Sequence, residues 1–201
     1  SMLERLRALI SAHRGSGGGS IAVNTELGIR AAFLSGADLV EIDVSASVDG
    51  EFFCFHDGCE PELLGIEANL QTLTAEEIDR LSYIWVDRPG RPARVEHLLP
   101  LLRKFKDTDT LFNIDRSWWR WPNALMALDG LYMAHQLLMK CPAWEGAALQ
   151  RLREFRVKFP FVPICATPDD VYRVVNDPQL NTVGVELISN APQSPWFSPS
   201  V

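Results

Sequence analysis

The chain has no C-x-x-C pair, no long apolar run and no surplus of positive charge. Each absence excludes something. Four scattered cysteines, Cys54, Cys59, Cys141 and Cys165, lack the paired spacing of a zinc site or a disulfide framework. Cys54, Cys141 and Cys165 lie in apolar runs and read as buried thiols. That reading favours a reducing compartment, the cytoplasm first. No stretch approaches the roughly 18 apolar residues of a membrane span. The N-terminus carries no leader of the usual three-part form, and the opening Ser-Met reads as a cloning remnant, compatible with a leader removed. Lys and Arg number 19 against 26 Asp and Glu, a net charge of -7. Phosphate backbones need clustered cations, so this balance argues against a nucleic-acid partner. A small phosphorylated ligand is still compatible, because it needs only a few cations or one metal ion.

What is present is ordinary globular material: 201 residues, 47% of them apolar. That suffices for one domain with a substantial core, expected to span 1–201 with 58–93 as an irregular insertion. The pattern predicts strands at 6–13, 37–47, 50–57, 110–117, towards the end of 131–141, at 160–166 and at 181–189. Helices are predicted at 24–36, 74–81, 95–106, 144–155 and 168–177. Asn24 or Thr25 caps the first helix and Gly36 stops it. Asp49-Gly50 is a strong hairpin turn. Strand and helix alternate through about six β/α units, which predicts a parallel sheet with helices outside. A doubly wound sheet is the rival of a barrel at this point.

The polar residues fall at the ends of these strands. His13 and Arg14 end the first, beside a loop with four glycines in "GSGGG". Glu41 and Asp43 sit two apart on the second, so they share a face. His56 and Asp57 end the hairpin strand, and Asp115 lies near the end of the next. In parallel α/β proteins that rim carries the active site. Three converging carboxylates, Glu41, Asp43 and Asp115, repel one another unless a hard cation such as Mg²⁺ or Ca²⁺ joins them. His13 and His56 suit general acid and base work, and Arg14 suits an anionic oxygen. Cation, guanidinium and paired imidazoles together fit a phosphodiester. Asn24 and Asp57 fit either supporting hydrogen bonds or direct ligation, and Asn113 fits a supporting hydrogen bond. His97 and His135 read as structural.

The run "HRG…NT…GADLVEIDVSASVDGEFFCFHDG" resembles the glycerophosphodiester phosphodiesterase family. The match is densest over residues 12–58 and continues loosely through "LTAEEIDRL" and "LFNID". The resemblance implies a TIM-type (β/α)₈ barrel with a small insertion after strand 2. It implies metal-dependent hydrolysis of glycerophosphodiesters to an alcohol and glycerol 3-phosphate. His13 and His56 are then the acid/base pair, Arg14 the phosphate contact, and Glu41, Asp43 and Asp115 the metal ligands. In the family the substrate's neighbouring hydroxyl attacks phosphorus, and water opens the cyclic phosphate. The glycine loop then lets backbone approach the phosphate closely.

The chain departs from that family at several points. Val23 stands for the Glu of Glu-Asn-Thr. The third-strand carboxylate is Asp115, followed by Ser117 where the family has Lys. "GCEPELLG" replaces an Arg-Thr-Thr segment. Lys140 is the candidate for the missing cation, Trp118 for a wall of the substrate pocket, and Glu186 for a further pocket residue. A barrel of this kind needs about 250 residues, so the last one or two β/α units are expected to be missing. Open strand edges then invite association of copies, a homo-oligomer. Two other readings compete: a phospholipase D-like enzyme on phospholipids or lysophospholipids, and a weak relative that only binds a phosphorylated ligand.

Overall fold

Apolar and polar residues alternate along Leu39–Ala46, yet all but the first are buried. A strand covered on both faces belongs inside a layered α/β sheet. The structure, a computed structural model, describes residues 9–15, 17, 21–84 and 92–189. Ser16, Gly18 and Gly19 of the glycine loop, residues 87–91 and the closing "SPWFSPSV" lie outside the described residues. The chain divides into two compact units, Ser1–Asn113 and Ile114–Val201.

In the first unit, Leu39–Ala46 forms β2, and β1 (Ser11–His13) pairs parallel with it, His13 opposite Glu41. β3 (Phe52–Cys54) returns antiparallel after the predicted turn, where Gly50 takes a φ of +93°. β4 (Glu96–His97) pairs antiparallel with β3. The order is β4-β3-β2-β5, with β1 also on β2 and β5 at Leu111–Asp115. Helix α1 (Glu26–Leu34) starts at Thr25, whose hydroxyl accepts from the Gly28 N–H, and buries Ile29 and Ala32.

Residues 58–84 of the insertion are more ordered than their composition predicts. α2 (Glu60–Leu64) and α3 (Ala75–Asp79) fold over β3 around Phe53, Phe55, Leu70, Ile78 and Tyr83. α3 carries a full capping box between Thr74 and Glu77. The helix predicted over 95–106 begins later, as α4 (Leu98–Arg103). Glu96 and His97 are drawn into β4 instead: Glu96 accepts from the Glu26 N–H at 3.0 Å, and the His97 ring lies 4.3 Å from Phe53. Burial raises the Glu96 carboxyl above its ordinary range.

In the second unit, β6 (Leu137–Met139), β7 (Ile164–Cys165) and β8 (Glu186–Leu187) alternate with α5 (Asn123–Asp129), α6 (Gly146–Glu154) and α7 (Pro168–Val175). β7 and β8 pair in parallel, and isolated parallel bridges join Met139 to Phe161 and Phe161 to Thr182. The strand predicted over 160–166 is cut short. Pro160 and Pro163 have no N–H to donate, so the ladder breaks into single bridges. The architecture is α/β with a mixed sheet. No helix among the described residues is long and apolar enough to cross a membrane.

The glycine of His-Arg-Gly has a packing reason. Gly15 sits at φ +76°, and a Cβ there would fall 2.8 Å from the Gly28 carbonyl carbon of α1. Gly15→Ala is expected to cost about 2 kcal/mol of stability, read from urea unfolding. A cost near zero would contradict this close approach.

Candidate active site

Parallel pairing of β1 and β2 sets His13 beside Glu41. His13 Nε2 lies 3.3 Å from Glu41 Oε1, with the imidazole largely exposed and the carboxylate largely buried. The next residue, Arg14, turns into the left-handed region at φ +57°, and Asn24 does the same at φ +54°. Asn24 N–H donates to the Arg14 carbonyl at 2.8 Å, which holds the two turns together. Both side chains then converge on Asp43. Asn24 Nδ2 donates to Asp43 Oδ2 at 3.0 Å, and the Asp43 N–H donates to Asn24 Oδ1 at 3.0 Å. Arg14 Nε lies 3.1 Å from the same Oδ2, an ion pair without hydrogen-bond alignment.

Asp43 is 1% exposed. Its second oxygen, Oδ1, is buried with no hydrogen-bond partner among the described residues. Leaving such an oxygen unsatisfied costs about 1–3 kcal/mol. One Glu41 oxygen and one Asp43 oxygen lie within 4.8 Å of each other, close enough to share a cation. Asn113 on β5 reaches Glu41, Nδ2 to Oε2 at 3.5 Å. Hard oxygens in this number suit Mg²⁺ or Ca²⁺ rather than a soft metal.

His56 follows β3. Its neighbour Asp57 is tied down on both oxygens, by the Ser45 hydroxyl and by Gln71 Nε2 at 2.6 Å. Both Asp57 oxygens are thus engaged by hydrogen bonds within the chain. The His56 ring meets Cys59, with Sγ 3.5 Å from Nδ1. The same sulfur lies 4.0 Å from Arg14 Nη1. Sequence reading gave Cys59 no role. The signal was its place in "GCEPELLG", the segment that departs from the family pattern.

In the second unit, Asp115 ends β5. It follows Asn113 by two residues, so an extended strand gives both the same face. Lys140 is 3% exposed. Its Nζ lies 3.3 Å from Asp115 Oδ2 and 2.7 Å from Glu186 Oε2. Asp115 Oδ1 accepts from the Arg116 N–H at 2.7 Å. Trp118 is 7% exposed and packs at 4.4 Å on the half-exposed Trp119; its Nε1 has no partner among the described residues.

The first unit thus gathers His13, Arg14, Glu41 and Asp43, with His56 linked to Arg14 through Cys59. The second gathers Asp115, Lys140 and Glu186. Asn24 is the clasp on Asp43, so Asn24→Ala is expected to lower stability by about 2 kcal/mol. Chemical denaturation would read it, and an unchanged midpoint would mean that the clasp is dispensable.

A model of the glycerophosphoryl diester phosphodiesterase family matches residues 13–190. No curated protein matches the chain by sequence. Among solved structures, a phosphodiesterase from Oleispira antarctica, in complex with the product sn-glycerol-3-phosphate, is similar with a TM-score of 0.70. It is 18% identical; the match covers 92% of this chain and 76% of that one. A glycerophosphoryl diester phosphodiesterase from Parabacteroides distasonis matches with a TM-score of 0.67 at 18% identity, over 82% of this chain and 56% of that one. A glycerophosphodiester phosphodiesterase from Agrobacterium tumefaciens matches with a TM-score of 0.56 at 15% identity, over 90% of this chain and 96% of that one. These identities carry the fold; the family match carries membership. Since that match runs from His13 of β1 to just beyond β8, the chain belongs to the glycerophosphoryl diester phosphodiesterase family and is a phosphodiesterase of that class.

Proposed function

We propose that this chain hydrolyses glycerophosphodiesters to an alcohol and glycerol 3-phosphate, with His13 and His56 as its proton-transfer pair. Glu41, Asp43 and Asp115 would hold a divalent cation, Mg²⁺ or Ca²⁺. The observation that carries the reading is the buried, unpartnered Asp43 Oδ1 beside Glu41, with the exposed His13 imidazole on the same strand pair. The Oleispira antarctica phosphodiesterase was solved with sn-glycerol-3-phosphate, which supports that product here. The α/β fold is similar to that of solved phosphodiesterases of this kind, with TM-scores of 0.70 and 0.67.

When bound, the cation would offset negative charge on the phosphoryl oxygens. The chain's own residues do the rest. The substrate's neighbouring hydroxyl attacks phosphorus, and the P–O bond to the leaving alcohol breaks. One histidine takes the hydroxyl proton while the other protonates the leaving oxygen. Water then opens the cyclic phosphate with the roles reversed. Glu41 holds the His13 ring. Arg14, braced by Asp43, keeps its remaining N–H groups for a phosphoryl oxygen. Lys140 supplies the cation that Ser117 lacks, held by Asp115 and Glu186. Trp118 backs the pocket wall behind Trp119.

Phosphorus NMR of a glycerophosphodiester panel with Mg²⁺ or Ca²⁺ tests the activity. Metal-dependent glycerol 3-phosphate, or a cyclic phosphate before it, is the expected product. His13→Ala and His56→Ala are each expected to lose at least about 100-fold in kcat; unaltered turnover in either would remove that residue from the pair. Asp43→Asn is expected to abolish cation binding in calorimetric titration of the free protein. Equal affinity in the variant would refute the proposed ligand set.

A further inference from the structure

We propose that Cys59 is the positioning residue of His56, fixing by its thiol which ring nitrogen handles the proton. The proposal rests on the reading of His56 as one of the proton-transfer pair. It concerns a residue in the segment where this chain departs from the family pattern.

The segment around His56 is rigid on both sides. Asp57 is anchored by Ser45 and Gln71. Glu60, 2% exposed, accepts from the Gly58 N–H at 2.7 Å and from the Leu70 N–H at 2.9 Å. The Cys59 N–H donates to the His56 carbonyl at 3.1 Å, closing the turn that brings the thiol under the ring. Backbone is therefore set by several strong bonds, while the imidazole itself has a single hydrogen-bond partner among the described residues. That partner is Cys59 Sγ, 3.5 Å from Nδ1.

A thiol suits this position chemically, because its sulfur is a weak acceptor. It accepts from Nδ1–H in the neutral ring and in the charged ring alike. The neutral ring's one proton then stays on Nδ1, and Nε2 keeps the lone pair, so the proton is gained and lost at Nε2. A carboxylate in this place would stabilise the charged ring further and make it a weaker acid. A histidine that acts as base in one half of the reaction and acid in the other needs a partner that serves both forms. The sulfur also lies 4.0 Å from Arg14 Nη1. It thereby spans the gap between the proton-transfer ring and the guanidinium assigned to the phosphoryl oxygen. A shift of the ring would therefore be felt at both groups.

The test uses the full chain with ¹⁵N-labelled histidine, its His56 signals assigned with His56→Gln. Long-range ¹H–¹⁵N spectra are recorded above neutral pH for the unaltered protein, Cys59→Ala and Cys59→Ser. In Cys59→Ala the His56 Nδ1 resonance is expected to move to the position of a free imidazole, and Cys59→Ser to restore it. With glycerophosphocholine as substrate, Cys59→Ala is expected to lose about tenfold in kcat with KM little changed, and Cys59→Ser to recover most of it. His56 resonances that do not respond to Cys59→Ala, or a fall confined to KM, would overturn the proposal. If the unaltered protein turns over no diester, the hydrolysis reading fails, and the Nδ1 signal still decides what the thiol does.

Discussion

A buried carboxylate must be paid for in partners, and Asp43 is the point around which the first unit is organised. Its Oδ2 receives Asn24 and the Arg14 guanidinium, while Oδ1 has no donor among the described residues. To reach it, Arg14 and Asn24 both take left-handed backbone, which costs free energy for non-glycine residues. The bond between their backbones and the two-bond clasp of Asn24 on Asp43 offset that cost. Strain is thus concentrated where the charges converge, in keeping with a preorganised anion and cation site. The same turn forces Gly15 against α1, so the edge that carries His13 and Arg14 and the helix behind it are set by one piece of geometry.

The two units solve their charge problems differently. In the first, Asp43 Oδ1 is buried without a hydrogen-bond partner among the described residues, and a divalent ion there would neutralise its charge. In the second, a nearly buried lysine is matched by two carboxylates, Asp115 and Glu186. Burial of Lys140 with paired partners avoids an isolated charge in a low-dielectric surrounding. It also holds the ammonium at one place, which a flexible surface lysine would not do. Asp115 thus has a local partner that Asp43 lacks at Oδ1.

Much of this was legible from spacing. Glu41 and Asp43 are two apart, so a strand of either register had to give them one face. Thr25, Gly36 and Asp49-Gly50 signalled their turns and caps because those effects act within a few residues. Asn113 was flagged by the alternation of "LFNID" and does meet Glu41. Other features were not legible. Glu96 and His97 lie in a helical pattern but join a strand, because β3 offers unpaired backbone and Phe53 a ring to pack on. The order of residues 58–84 was hidden, since their core forms against Phe53 and Phe55 rather than within itself.

The amino-acid sequence by itself determined the chemical inventory: two histidines, an arginine and three carboxylates on strands or directly after them, in an order that marks the family. Those are properties of residue type and near spacing, which covalent geometry enforces. Only the tertiary structure decided which oxygen of Asp43 lies unpartnered, that Lys140 is held between Asp115 and Glu186, and that the Cys59 thiol lies beside His56. These depend on how separate strands and loops pack to within a few tenths of an ångström. No local pattern encodes that, because each contact is the outcome of all the others that position it.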